Sequence, residues 1–155
     1  MKILLLDANS IILLTRAGGI PESDDETVVA STSIAAYELG NAVWKDLHIF
    51  KKLSGEEAEL LLTMFHKVLL RIRIEPLLDV SERLEVLHNA DTHGISYYDS
   101  SYLTSAIRLE ATLVTEDKSL RKAAGECGVP TLCAADLAKT GTKHLSTECS
   151  TQAQL

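Results

Sequence analysis

Short apolar runs alternate along this chain with longer segments in which apolar residues recur three and four positions apart. The first run, Lys2–Leu6, ends on Asp7. A continuous apolar run of that length predicts a strand buried on both faces. Asn9 or Ser10 can cap a helix over Ile11–Arg16, which Gly18, Gly19 and Pro21 stop. A charged loop, Glu22–Glu26, leads to a second strand, Thr27–Ala30. Ser31 or Thr32 then caps a predicted helix from Ile34 to Lys52, with Ala36, Leu39, Val43 and Leu47 at helical spacing.

Ser54 followed by Glu57 is a capping-box signature for a helix running to Leu70. Ile72–Glu75 reads as a third strand, closed by Pro76. Asp79 or Ser81 starts a helix to Thr92, which Gly94 ends as a left-handed cap. A helix over Tyr97–Leu109, a strand over Ala111–Thr115 and a helix over Asp117–Cys127 follow. Pro130–Leu132 reads as a fifth strand and Ala134–Ala138 as a last short helix. This alternation predicts an α/β fold, a three-layer α/β/α sandwich around a parallel sheet of about five strands. One domain is expected over residues 1–139. Residues 140–155 are polar, rich in Ser and Thr and aperiodic, and read as a mobile tail.

Composition sharpens this in three ways. Apolar residues make up 46% but aromatics only 5%, so the core must be built from Leu, Ile, Val and Ala. The formal net charge of −7 argues against broad electrostatic binding of nucleic acid, though not against a contact made through bound cations. Cys127, Cys133 and Cys149 are odd in number and lack metal-ligand spacing, which suits a reducing cytoplasm better than a disulfide framework or zinc finger. No run approaches the roughly 20 apolar residues of a membrane span. Asp7 interrupts the N-terminal run and no small-residue cleavage site follows, so that run reads as a strand rather than a signal peptide.

The candidate chemistry lies in four acids. Open parallel sheets bind ligands at the carboxyl ends of their strands. Asp7 follows the first strand directly and Asp117 sits just past the fourth. Each is also a natural helix cap. Glu38 stands in the apolar segment IAAYELGNAVW with Asn41 three residues on; the pair can be structural, or it can serve a site. Asp99 opens a helix, where the dipole favours it, and Ser100 and Ser101 are candidates to orient its carboxylate. Four carboxylates in one pocket would repel and raise one another's pKa values, and a divalent cation relieves that repulsion. Oxygen donors without His or Cys suit Mg2+ or Mn2+ better than Zn2+. His48, His66, His88, His93 and His144 are scattered and read as surface or packing residues.

Four ordered pieces carry a family resemblance: LLLDANS at the start, AYELGNAVWK, YYDSSYL and TEDKSL. Together they span about residues 3–132, and the chain resembles PIN-domain proteins, in particular VapC-type toxins of toxin–antitoxin pairs. The resemblance implies an α/β/α sandwich and a Mg2+- or Mn2+-dependent endoribonuclease. It makes Asp7, Glu38, Asp99 and Asp117 the acidic quartet that holds the metal. Asn9, Asn41 and Thr115 become supporting polar residues. It also implies an RNA substrate, a homodimer and a cognate antitoxin that blocks the site. Arg16, Lys45, Lys118, Arg121 and Lys122 are candidates for a basic rim touching RNA phosphates, or else solvated helix faces. Trp44, Phe50, Phe65 and the segment Leu60–Leu70 are candidates for core packing or for a dimer or antitoxin face.

Other readings fare less well. A phosphatase with an Asp nucleophile needs a second Asp two residues on, where this chain has Asn9. A phosphoacceptor signalling domain needs paired acids at the first strand and an Asp after a central one, and Arg73–Leu78 offers only Glu75. The alternative left open is a catalytically silent scaffold that binds RNA or protein.

Overall fold

Five short strands pair side by side, all parallel. They are β1 (Lys2–Leu6), β2 (Thr27–Thr32), β3 (Arg73–Glu75), β4 (Thr112–Val114) and β5 (Thr131–Leu132). The structure is a computed structural model, and it describes residues 1–76 and 79–138; the tail expected over 140–155 lies outside the described residues. The strand order is β3-β2-β1-β4-β5. The chain therefore builds outward from β1 through β2 to β3, then crosses back to place β4 on the other side of β1. That reversal puts the topological switch point between β1 and β4, where the connecting segments diverge and leave a crevice at the carboxyl ends.

Alternation along β1 serves both faces of the sheet. Leu4 and Leu6 pack with Ile11, Leu14, Leu39, Val43 and Phe65 on one side. Leu5 packs with Ala30, Leu113, Leu103, Ala106 and Leu120 on the other. The helices are α1 (Ala8–Arg16), α2 (Ala35–Trp44), α3 (Gly55–Leu69), α4 (Val80–His93), α5 (Tyr97–Arg108) and α6 (Lys118–Glu126). Residues 134–138 are helical as well. The chain is thus the three-layer α/β/α sandwich that the alternation predicts. Among the described residues, no helix is long and apolar enough to cross a membrane.

Most helix ends fall where the capping chemistry puts them. The Ser54–Glu57 box opens α3, an Asp79–Glu82 box opens α4, and Gly94 closes α4 in the left-handed region at φ 62°. Three features differ. Asp7 itself caps α1, so Asn9 and Ser10 lie inside the first turn rather than before it. Ser31 and Thr32 do not cap α2. They extend β2, because Ser31 and Thr32 pair with Ile74 and Glu75 of β3 and the Ser31 hydroxyl donates to the Leu6 carbonyl at 2.7 Å. Finally, the helix predicted to Lys52 widens after Trp44 into a π-helical turn, Lys45–Ile49, and Lys51 then takes a positive φ of 51°.

The apolar surface singled out in the sequence divides. Phe65 is in the core, while Trp44, Phe50, Leu60, Leu62, Met64 and Leu70 are exposed.

Candidate active site

The crevice between β1 and β4 is acidic, and each acid comes from a different helix. Asp7 is the residue where β1 ends and α1 begins. Its N–H donates to the Val114 carbonyl at 3.2 Å, tying it to the end of β4. Its Oδ1 accepts the Ser10 N–H at 2.7 Å, and the Ser10 hydroxyl donates to the same Val114 carbonyl at 2.9 Å. The residue is only 7% exposed. Burial pushes its pKa above the ordinary carboxylate range. Hydrogen bonds from Thr115 and Ser10 oppose that rise, and the charge of Asp99 adds to it.

Glu38 lies in the first turn of α2, half-buried, and its Oε2 accepts the Tyr102 hydroxyl at 2.6 Å. Burial raises this carboxyl too. The Tyr102 bond opposes the rise, and the charges of Asp99 and Asp7 reinforce it. The Tyr102 phenol is itself driven far up by burial and by Glu38, so it stays a donor at any physiological pH.

Asp99 is in the first turn of α5, capped by Ser96: the Asp99 N–H donates to Ser96 Oγ at 3.0 Å. The Ser96 hydroxyl returns a bond to Asp99 Oδ2 at 2.6 Å. Ser96 therefore orients this carboxylate. Ser100 and Ser101, the residues suggested by proximity in sequence, donate instead to the carbonyls of Val86 and Tyr98. Asp117 caps α6, its Oδ1 accepting the Leu120 N–H at 2.7 Å. Its own N–H donates to Thr115 Oγ1 at 3.0 Å, so Thr115 steadies both Asp117 and Asp7. For Asp7 and Asp117, capping and lining the crevice are the same act, not competing explanations.

A cavity of about 400 Å3 collects all four acids together with Asn9. It also takes in Tyr102 and Glu116, which sequence reasoning missed. Tyr102 had a signal, since it lies three residues after Asp99 on one face of α5. Glu116 is held elsewhere: its Oε1 accepts the Ala134 N–H at 2.7 Å and its Oε2 stands 3.7 Å from Arg121. Asn41 does not line the cavity. It is exposed, as is Tyr37, so the face of α2 that carries it turns to solvent rather than being wholly apolar.

Among the described residues, no cationic side chain lines this cavity. Arg16 pairs with Asp46 at 3.7 Å, Arg121 donates to the Thr115 carbonyl at 2.9 Å as well as facing Glu116, and Lys122 is 3.8 Å from Glu126. Lys45 and Lys118 are exposed and form no ion pair among the described residues. Of the two readings for His93, the structure has the packing one: its Nδ1 is 2.8 Å from Glu126 and its Nε2 is 3.3 Å from the Cys127 sulfur, at the opposite end of α6 from Asp117.

The charged donors are all carboxylates, joined by the Asn9 amide and the Tyr102 hydroxyl and by no His or Cys among the described residues, which fits a hard divalent cation. Two of the acids are raised by burial and by their neighbours' charge, and a cation would relieve both effects. Among the described residues, however, no three His, Cys, Asp or Glu side chains are already drawn together to hold an ion. Like charges hold apart, and an ion that retains much of its hydration can bridge such a spacing through water.

A doubly wound parallel sheet with carboxylates at its switch point defines a class of small α/β/α proteins built around an acidic pocket. Within that class, a profile of the PIN domain matches residues 4–126, and the chain belongs to the PIN domain family. Solved structures agree on the fold. PAE2754 from Pyrobaculum aerophilum is similar with a TM-score of 0.68 at 19% identity, over 92% of this chain and 96% of that one. FitAcB from Neisseria gonorrhoeae follows with a TM-score of 0.56 at 20% identity, over 85% and 98%. VapBC2 from Rickettsia felis, bound to a DNA fragment from its promoter, has a TM-score of 0.54 at 19% identity, over 84% and 98%. No curated protein matches the sequence.

Proposed function

We propose that this chain is a divalent-cation-dependent endoribonuclease, the toxin of a VapBC-type toxin–antitoxin pair. One observation carries the reading. Four carboxylates from four separate helices, with Glu116 beside them, line one cavity that has no lining cation among the described residues. Such an arrangement is costly unless something positive is bound there.

Asp7, Glu38 and Asp99 would hold Mg2+ or Mn2+, directly or through water, with Asp117 completing the set. The cation, when bound, supplies charge neutralisation at the scissile phosphate and acidifies water. The protein's own residues keep the acids in place. Ser10 and Thr115 restrain Asp7, Tyr102 restrains Glu38, Ser96 restrains Asp99, and the α6 amide of Leu120 restrains Asp117. Asn9 offers a neutral amide at the same cavity. Lys45 and Lys118 are the rim cations left free for phosphates.

The toxin assignment draws on the family and on VapBC2 and FitAcB among the similar folds. It carries with it a cognate antitoxin, a homodimer and a cytoplasmic setting. The exposed Trp44, Phe50, Leu60, Leu62 and Leu70 are the apolar surface such partners would cover. A silent scaffold is the second reading, favoured by the absence of a ready-made ion cage among the described residues.

RNA cleavage by antitoxin-free protein decides between them. Cleavage is expected with Mg2+ or Mn2+ and is expected to stop with EDTA and in Asp99→Asn. Activity that survives both treatments would sink the metal mechanism. No cleavage, together with no cation-dependent rise in melting temperature, would favour the scaffold.

A further inference from the structure

A second cavity, of about 270 Å3, opens beside the acidic one at the carboxyl ends of β2 and β3. The two share α5: Asp99 and Tyr102 line the first, Tyr97 and Ser105 the second. Thr32, at the end of β2, stands between them. It lines the second cavity and lies close enough to Tyr102 to favour the phenolate. Yet its hydroxyl, on a residue only 5% exposed, makes no hydrogen bond of good geometry among the described residues. A buried hydroxyl in that condition costs stability unless a ligand or water engages it.

The chemistry of the second cavity is the reverse of the first. Among the described residues, no carboxylate lines it. Among the described residues its one charged group is Arg83 of α4, which is exposed and forms no ion pair with them. Ile34 and Val86 give it apolar walls, and Tyr97, 40% exposed, gives it an aromatic ring. The Tyr97 hydroxyl reaches the Arg83 carbonyl only in a long, weak bond of 3.4 Å, and the ring and the arginine lie side by side in the cavity wall. An RNA strand drawn to the acidic cavity only through a cation needs a second hold. Three of the five rim cations suggested by sequence are already paired with carboxylates.

We propose that this cavity is a nucleotide subsite that receives one nucleotide flanking the scissile phosphate; this rests on the ribonuclease reading above. The base stacks against Tyr97 between Ile34 and Val86, its polar edge meets the hydroxyls of Thr32 and Ser105, and Arg83 takes the adjoining phosphate. Stacking on an aromatic ring with a nearby guanidinium is how single strands are held with little sequence preference. The hydroxyls add a modest choice among bases.

The test uses the full chain and a fluorescein-labelled single-stranded RNA of mixed sequence. Cleavage kinetics are measured in Mg2+ and equilibrium binding in EDTA. Arg83→Ala and Tyr97→Ala are each expected to raise KM about tenfold while leaving kcat within about twofold. Tyr97→Phe should keep the wild-type KM, since the ring and not the hydroxyl meets the base. Lys67→Ala, which removes an exposed charge on α3, should change neither. Unchanged KM and unchanged RNA binding in both Arg83→Ala and Tyr97→Ala, with wild-type melting temperatures, overturn the subsite. If the wild type cleaves nothing, the ribonuclease reading fails by itself and the binding measurement still judges the cavity. Weaker binding in those two variants but not in Lys67→Ala supports it, whereas no RNA binding by the wild type overturns it.

Discussion

The two ends of α6 handle charge in opposite ways. At its C-terminus, Glu126 faces His93 at 2.8 Å and Lys122 at 3.8 Å, and the Cys127 thiol rests against the same imidazole. Burial and the Glu126 charge push that thiol's pKa up, which keeps it protonated and unreactive. At its N-terminus, Asp117 lines a cavity with four other carboxylates and, among the described residues, no cation. One end is satisfied by the protein. The other is left incomplete, at a strand-end crevice where ligands bind in such folds. Incomplete electrostatics at a switch point mark a site better than the mere presence of polar residues does.

The largest effect expected from breaking this contrast is on activity. Asp99→Asn should lower RNA cleavage by roughly 10²–10³-fold, the scale of losing a group that organises transition-state charge. It should leave the metal-free melting temperature unchanged or higher, because one repelling charge is gone. A melting temperature that falls with the activity would mean that Asp99 is structural. Next comes Tyr102→Phe, which removes the donor that holds Glu38 while keeping the ring. Loss of an outer partner of a metal ligand typically costs about 10–100-fold, and the loss should appear in the cation concentration needed for half-maximal cleavage.

The opposite end should respond in the reverse sense. His93→Ala removes the partner of Glu126 and Cys127 and opens a gap in a side chain that is 12% exposed. It should cost about 1–3 kcal/mol of stability by chemical denaturation, with kcat for the remaining folded protein unchanged. A fall in kcat would join the two ends functionally.

The smallest effect is the pH dependence of stability. Asp7 and Glu38 have raised carboxyls in the folded chain, so the folded state binds their protons more tightly than the unfolded state does. Their contribution is full below the ordinary carboxylate range and is lost as pH climbs through the raised values. Metal-free wild type should therefore fall behind the Asp7→Asn, Glu38→Gln double variant as pH rises from 5 to 8. The gap should close when Mg2+ is added. Parallel melting curves for the two proteins across that range would count against the shifts.

Much of the fold could be read from local pattern. The strand-and-helix alternation, the capping-box start at Ser54, a helix start at Asp79 or Ser81, and the Gly94 stop depend on residues a few positions apart. What escaped reading depends on distant partners. β2 runs on through Ser31 and Thr32 because β3 and the Leu6 carbonyl meet it there. The π-helical turn after Trp44 has no local signature that distinguishes it from continued helix. Of the four acids that line the cavity, Asp7 and Asp117 stand out in the sequence by following strands and Asp99 by opening a helix, whereas Glu38 stands out as an acid in an apolar helical segment. Their supports could not: Ser96 rather than Ser100 or Ser101 faces Asp99, and Tyr102 reaches Glu38 from 64 residues away. Asn41 looked like a companion of Glu38 on spacing alone, and the three-residue offset placed it toward solvent.

The double duty of Asp7 has a practical side. Asn serves as well as Asp at a helix N-cap, whereas Ala forfeits about 1 kcal/mol there. Asp7→Asn can therefore keep the amide of Ser10 satisfied and α1 anchored while taking a negative charge out of the crevice. The usual alanine scan would blur the two losses into one. Under the proposed function, the amide variant would be a folded, inert form of the protein, suited to capturing uncut RNA.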